Sequence, residues 1–220
     1  MRINKFLSLS LRVSRRRADT LIEEGVITIN DLTASKGLDV FTNDLVKYGN
    51  LVLELPQKFY YVSLNKPVGF VCSRRGQGNR TIFELLPKNL QSLKNVGRLD
   101  KNSSGIIVLT NDGDFHHHLT HPKYHKQKTY LVKLNKPISR DSLELINKQG
   151  VRLEDGLSKF RVRQNKDLLI VDICEGRNRQ IRRTFKALGY VVTALHRTRF
   201  GPYKLNDLGP GEYRFDTKRT

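Results

Sequence analysis

The sequence predicts an α+β fold with a largely antiparallel or mixed sheet, and three observations carry that reading. Short apolar runs of strand character outnumber helical patterns. Strands and helices do not alternate as parallel βαβ units would require. The first 55 residues place two helices ahead of short strands, an order the remainder does not repeat.

Residues 3–11 predict a short helix with Ile3, Phe6, Leu7 and Leu11 on one side. Ser14 is placed to cap a second helix carrying Ala18, Leu21 and Ile22, which Gly25 stops. Val26–Ile29 and Leu51–Leu55 follow as strands, closing a module of residues 1–56. Pro56, Gln57 and Lys58 form a linker to a second domain, residues 57–220. There Tyr60–Leu64 predicts a strand ended by the turn Lys66-Pro67-Val68-Gly69, and Arg74–Arg80 predicts a basic, flexible loop around Gly76 and Gly78. Ile106–Thr110 predicts a buried strand, closed by the turn signal Asn111-Asp112-Gly113. A short helix around Phe115–Leu119, strands at Tyr130–Leu134 and Leu168–Cys174, a helix from Asn178 to Leu188 ended by Gly189, and a strand Tyr190–Leu195 complete the reading. No repeat or low-complexity tract interrupts it.

Composition narrows the partner. Forty Lys and Arg against 21 Asp and Glu give a net charge of +19, which favours an anionic partner, nucleic acid or a membrane surface. No apolar stretch approaches the roughly 20 residues that span a bilayer, and none forms an amphipathic anchor of adequate length. Met1 opens directly into polar helical sequence, so no targeting segment is expected. Cys72 and Cys174 match no metal-ligand spacing and read as buried free thiols in a cytosolic protein. His116, His117, His118, His121 and His125 lack an acid or Cys at structural-zinc spacing, so no metal is expected. The charge is uneven: residues 1–55 hold 8 basic and 7 acidic side chains, a net of +1, which leaves +18 on the rest.

Three places could carry chemistry. Asp100, in Gly97-Arg98-Leu99-Asp100-Lys101-Asn102-Ser103-Ser104-Gly105, is an acid in a polar loop beside two cations. Acids in loops are most often caps, but flanking cations also keep a carboxylate ionised, as a nucleophile or base requires. The second place is Glu175-Gly176-Arg177-Asn178-Arg179-Gln180-Ile181-Arg182-Arg183. On a helix, Ile181, Phe185 and Leu188 form the core stripe, and Arg182 lies at its border, able to reach inward and clamp a carboxylate. Arg179 and Arg183 point elsewhere and suit phosphates. The third is Tyr130, on a strand face with Val132 and Leu134, either a core tyrosine or a plane against which an extruded base could stack.

Two resemblances organise these residues. Arg2-Ile3-Asn4-Lys5-Phe6-Leu7, Ser14-Arg15-Arg16-Arg17-Ala18-Asp19 and Leu21-Ile22-Glu23-Glu24-Gly25-Val26 resemble the S4 RNA-binding module, with Asn4 where Asp is more usual. Leu64–Gly69, Gly97–Asp100 with Ser104-Gly105, Lys128-Thr129-Tyr130-Leu131-Val132, Glu175–Arg183, Leu195-His196-Arg197 and Gly201-Pro202 are together similar to the pseudouridine synthases of the RsuA branch, which includes RluB, RluE and RluF. That likeness covers essentially the whole chain.

The resemblance implies a mixed, mostly antiparallel sheet with a central cleft and isomerisation of uridine to pseudouridine in ribosomal RNA, with neither metal nor organic cofactor. It implies Asp100 as catalytic aspartate, Tyr130 stacked on the uracil, Arg182 ion-paired to Asp100, Arg98 holding the flipped nucleotide and Lys66 supporting the cleft. RNA contacts are expected from Arg2, Lys5, Arg15, Arg16, Arg74, Arg75, Arg177, Asn178, Arg179, Gln180 and Arg183. The implied partner is ribosomal RNA or a ribosomal subunit precursor, met by a monomer in a bacterial-type cytoplasm or an organelle. Asn178-Arg179-Gln180 and Gly150–Gly156 look like the large-subunit type; Lys128–Val132 and Pro210–Arg214 also fit the small-subunit type, and the large subunit is favoured. The alternative from another class is a non-catalytic RNA-binding or ribosome-assembly factor.

Overall fold

A computed structural model describes residues 1–56 and 58–219. The chain divides between Phe59 and Tyr60 into two compact units. Of the expected linker, Gln57 lies outside the described residues.

The first unit holds helices α1 (Ile3–Ser10) and α2 (Arg15–Glu23), then strands β1 (Ile27–Ile29), β2 (Leu32–Thr33), β3 (Val46–Tyr48) and β4 (Leu51–Val52) in the order β2-β1-β3-β4. Ser14 Oγ accepts the backbone N–H of Arg17 at 3.1 Å, capping α2 as its sequence signals. Ile3, Phe6 and Leu7 of α1 meet Ala18, Leu21 and Ile22 of α2 over Ile27, Val40 and Val46 in one core. This face orients α2 so that Arg15 and Arg16 remain exposed in its first turn.

The second unit is built on a nine-stranded sheet. Its elements are β5 (Tyr61–Lys66), β6 (Lys94–Val96), β7 (Ser104–Thr110), α3 (Gly113–Thr120), β8 (Lys128–Leu134), α4 (Arg140–Lys148), β9 (Val151–Leu153), β10 (Gly156–Ser158), β11 (Arg161–Asn165), β12 (Leu168–Ile173), α5 (Gln180–Ala187), β13 (Val192–Phe200), β14 (Tyr203–Lys204) and β15 (Tyr213–Asp216). The order is β11-β12-β8-β13-β7-β5-β15, with β6 on β7, β14 on β13, and β9–β10 a separate hairpin. Among the described strands of this sheet only β13 and β7 pair in parallel, so the sheet is mixed and mostly antiparallel, as expected. The run Ile106–Leu109 is unbroken because both faces of β7 are covered. Ile107 and Leu109 join the main core with Val132, Val171 and Phe185, while Ile106 and Val108 pack with Phe115, Leu119 and Phe200 on the other side.

Four sequence expectations shift. Asn111-Asp112-Gly113 is not a hairpin turn: Asp112 Oδ1 accepts the N–H groups of Asp114 and Phe115 at 3.1 and 3.0 Å and caps α3. The strand expected at Tyr190–Leu195 runs instead from Val192 to Phe200, through polar residues that sheet pairing covers. Helix α4, capped by Ser139, and the hairpin β9–β10 were not anticipated; each buries few residues, Ile146 in α4 and Val151 and Ser158 in the hairpin. Cys72 is buried but Cys174 is exposed.

Candidate active site

The loop 97–103, which enters β7, is held from beneath. Lys66 is wholly buried at the end of β5, and its ammonium donates to the carbonyls of Ser103 (2.6 Å), Pro67 (3.0 Å) and Lys101 (3.4 Å). Three N–H donors on one point charge suit carbonyls that belong to no ladder. Burial pushes the Lys66 pKa down to about 8, against the pull of Asp100 and the Cys72 thiol. The Gly69 N–H reaches Lys101 O at 2.9 Å, and Cys72 Sγ meets both the N–H and the carbonyl of Leu99 at 3.4 Å. Asp100 is thus offered from a fixed platform, with its side chain one-third exposed (33%).

One cross-sheet row organises the floor: Lys66 of β5 lies opposite Gly105 of β7, which pairs with Arg197 of β13, which pairs with Tyr130 of β8. Gly105 is required here. Its φ is +108°, and a Cβ would come within 2.2 Å of the Arg197 carbonyl oxygen. Tyr130, 9% exposed, and Arg197, 2% exposed, both line a cavity of about 580 Å³ together with Asp100, Arg98, Lys128 and Arg179. That volume falls in the range of small-ligand sites, about 300–1,000 Å³. Burial lowers the pKa of Lys128, whose ammonium donates to Glu175 O at 3.3 Å.

The ion pair on Asp100 differs from the expected one. Arg179, not Arg182, approaches the carboxylate, Nη1 to Oδ2 at 3.4 Å. The reason is local: α5 begins at Gln180, and Arg179 precedes it in the left-handed region (φ +46°), which turns its side chain out of helical register. Arg182 instead bridges two backbones, donating to Asn102 O at 2.7 Å and Val192 O at 2.8 Å. It ties the Asp100 loop to β13 and leaves the carboxylate to its neighbour.

Several residues expected to contact RNA are engaged inside the protein. Arg183 forms a two-pronged pair with Asp155 (2.9 and 2.6 Å). Arg177 adds Asp155 Oδ1 at 3.0 Å and the Asp155 and Leu157 carbonyls at 2.9 Å. Gln180 is buried, bonded to Ser158 Oγ at 3.1 Å and to Glu175. Hairpin β9–β10 thereby clamps the start of α5. Arg74 is no loose phosphate hook either. It donates to the carbonyls of Gln91, Ser92 and Leu93 and lies over the Phe83 ring, while Arg80 covers Phe70, so the loop 74–80 is pinned. Arg2 bonds Gly37 O and pairs with Asp39. Arg15, Arg16, Arg75, Arg98 and Asn178 are exposed, and Lys5 is half-buried.

Sequence reasoning missed Asp155 and Arg197. Segment Gly150–Gly156 enters the sequence reading only as a likeness to the large-subunit type, and nothing local links Asp155 to arginines 22 and 28 positions away. Arg197 stands in Leu195-His196-Arg197, one of the segments similar to the pseudouridine synthases, and that was the available hint.

A carboxylate on a rigid loop, an aromatic ring and converging cations suit a planar base carried on a polyanion. The RNA pseudouridylate synthase family matches residues 60–187. The ribosomal small subunit pseudouridine synthase A of Vibrio vulnificus (strain CMCP6) is 34% identical over 230 residues, covering 99% of this chain and 97% of that protein. The ribosomal large subunit pseudouridine synthase B of Bacillus subtilis (strain 168) is 32% identical over 223 residues, covering 97% and 91%. A crystal structure of a pseudouridylate synthase superposes with a TM-score of 0.71 at 30% identity, covering 99% of this chain and 96% of that one. With a match over more than half of its length and relatives above 30% identity along nearly all of it, the chain belongs to the RNA pseudouridylate synthase family.

Proposed function

We propose that this protein isomerises a specific uridine of ribosomal RNA to pseudouridine, with Asp100 as the catalytic carboxylate. The observation that carries the reading is the shared cavity: Asp100 stands beside Tyr130 and Arg179 on a loop braced by Lys66. The reaction breaks the bond from N1 to C1′, turns the uracil, and joins C5 to C1′. Nothing is added or oxidised, so a carboxylate, a pocket that retains the free base and a proton acceptor suffice. Asp100 serves by attacking C1′ or the ring, or by taking the 2′ proton. Tyr130 supports the uracil face, Arg98 at the rim holds the extruded nucleotide, and Arg179 keeps Asp100 oriented.

A paired uridine is unreachable, and extruding it costs a few kcal/mol. Phosphate contacts offset that cost. The first unit, read as an S4 module, supplies them through Arg15 and Arg16 at the start of α2, where free backbone N–H groups add to the attraction. Among the described residues no helix is long and apolar enough to cross a membrane, and we place the enzyme in the cytoplasm, acting as a monomer on ribosomal RNA or a subunit precursor. Segments 178–180 and 150–156 favour the large subunit as target. Carbodiimide-stop mapping in cells lacking the protein, restored with the native enzyme or with Asp100→Asn, tests the reading. One pseudouridine stop should vanish, return with the native enzyme and stay absent with the variant. An unchanged set of stops contradicts the proposal, and a lost stop in small-subunit RNA would correct the target.

A further inference from the structure

One buried cation has no task in that scheme. Arg197 is 2% exposed, yet among the described residues no carboxylate pairs with it. Its Nε donates to Ile106 O at 2.9 Å and its guanidinium carbon lies 4.9 Å from the centre of the Phe200 ring, but Nη2 has no hydrogen-bond partner. Arginine is almost never buried without a partner, because an uncompensated guanidinium loses its hydration for nothing. Like charges gather around it as well: burial lowers the pKa of both Lys66 and Lys128, and the charge of Arg197 adds to that shift. Its row neighbour is Tyr130, and it lines the cavity that holds Asp100. A buried guanidinium without a carboxylate, and a surplus of positive charge in a residue that lines a cavity, call for a negative or carbonyl-bearing ligand.

The chemistry supplies one. When the bond from N1 to C1′ breaks, the bonding pair stays on the uracil and spreads from N1 to O2 and O4. The electron-poor C1′ is taken up by an Asp100 oxygen, or is neutralised when Asp100 removes the 2′ proton. After the ring turns, a pair from C5 forms the new bond to C1′, the C5 proton departs, N1 gains a proton, and any proton or bond held by Asp100 is returned. If Asp100 adds to C6 instead, the displaced π pair likewise moves to O4. Every route places negative charge on a uracil oxygen, and none needs an outside oxidant or cofactor.

Resting on the synthase reading, we propose that Arg197 is a catalytic residue that binds the uracil carbonyl edge and stabilises the charge the ring acquires. A guanidinium suits this position because it stays charged next to two lysines and presents several fixed donors. A preorganised donor in a site shielded from water acts most strongly on charge that develops during the reaction.

The test exploits fluorine, which withdraws electron density and stabilises the uracil anion unaided. Transcripts spanning the mapped uridine are made with uridine or 5-fluorouridine, and the single-turnover loss of the intact nucleotide is followed after digestion. Arg197→Gln should slow uridine on the order of 10²-fold, with the deficit at least about tenfold smaller on 5-fluorouridine and RNA affinity unchanged; Arg197→Lys should fall between. An equal deficit on both substrates overturns the inference, since a packing role is blind to the leaving group. Should the Gln variant fail to fold, the Lys variant gives the same ratio. Asp100→Asn must be inactive on both transcripts. If it turns over uridine normally, the synthase reading fails, a result distinct from failure of Arg197 alone.

Discussion

Helices α2 and α5 both open on arginine runs, yet they use them in opposite ways. In α2, Arg17 pairs with Glu24 at 2.7 Å while Arg15 and Arg16 stand exposed. In α5 and the turn before it, Arg177 and Arg183 are consumed by Asp155, Arg182 by the carbonyls of Asn102 and Val192, and Arg179 by Asp100. The nearly neutral unit therefore leaves two arginines of its helix run exposed, while the four arginines at the start of α5 are engaged inside the strongly basic unit, which exposes others elsewhere, Arg75 and Arg98 among them. Net charge locates a partner; the positions of the acids decide which cations are free to meet it.

Asp155→Ala attacks that contrast most directly, because it frees Arg177 and Arg183 and makes α5 resemble α2. Single-turnover rate should fall on the order of 10²-fold as Arg179 and Arg182 lose their frame, while non-specific RNA affinity rises. A gain in affinity without loss of rate would show that the clamp does not position the site. Lys66→Met leaves loop carbonyls unsatisfied under Asp100 and should cost about 1–3 kcal/mol, read as a lowered midpoint in thermal unfolding. Arg15→Ala and Arg16→Ala should each reduce the slope of log affinity against log salt by about 1; the same slope with weaker binding would deny them phosphate contacts.

The smallest effect is in pH. The Lys66 pKa is depressed in the folded protein to about 8 from 10.5, so between those values the unfolded chain binds more protons. The contribution of Lys66 to stability therefore rises with pH across that window and is least below pH 8. Its grip on the Asp100 loop changes in the opposite sense, since the neutral amine has one donor fewer. Turnover should fall as pH passes about 8, and Lys66→Arg should move that limb upward.

Much of the frame was legible from local signals. Ser14 announced α2, the stripe of Ile181 and Phe185 announced α5, and the Gly97–Gly105 run singled out Asp100. What escaped depended on distant partners. The identity of the arginine on Asp100 turned on where α5 begins, a difference of two residues set by the left-handed Arg179. The fate of Arg177 and Arg183 turned on a hairpin more than twenty residues upstream. Arg74 reads as a loop cation until the carbonyls of 91–93 are seen around it. Helical period and caps are local, whereas the pairing of a charge is a property of the folded chain.

The account depends most on Asp100 as the reacting group. Joining C5 to C1′ expels the hydrogen on C5, so RNA labelled with tritium at uridine C5 reports each turnover as tritium released to water. Asp100→Asn should bind the labelled RNA as the native enzyme does and release none above background. Release at the native rate would contradict the account.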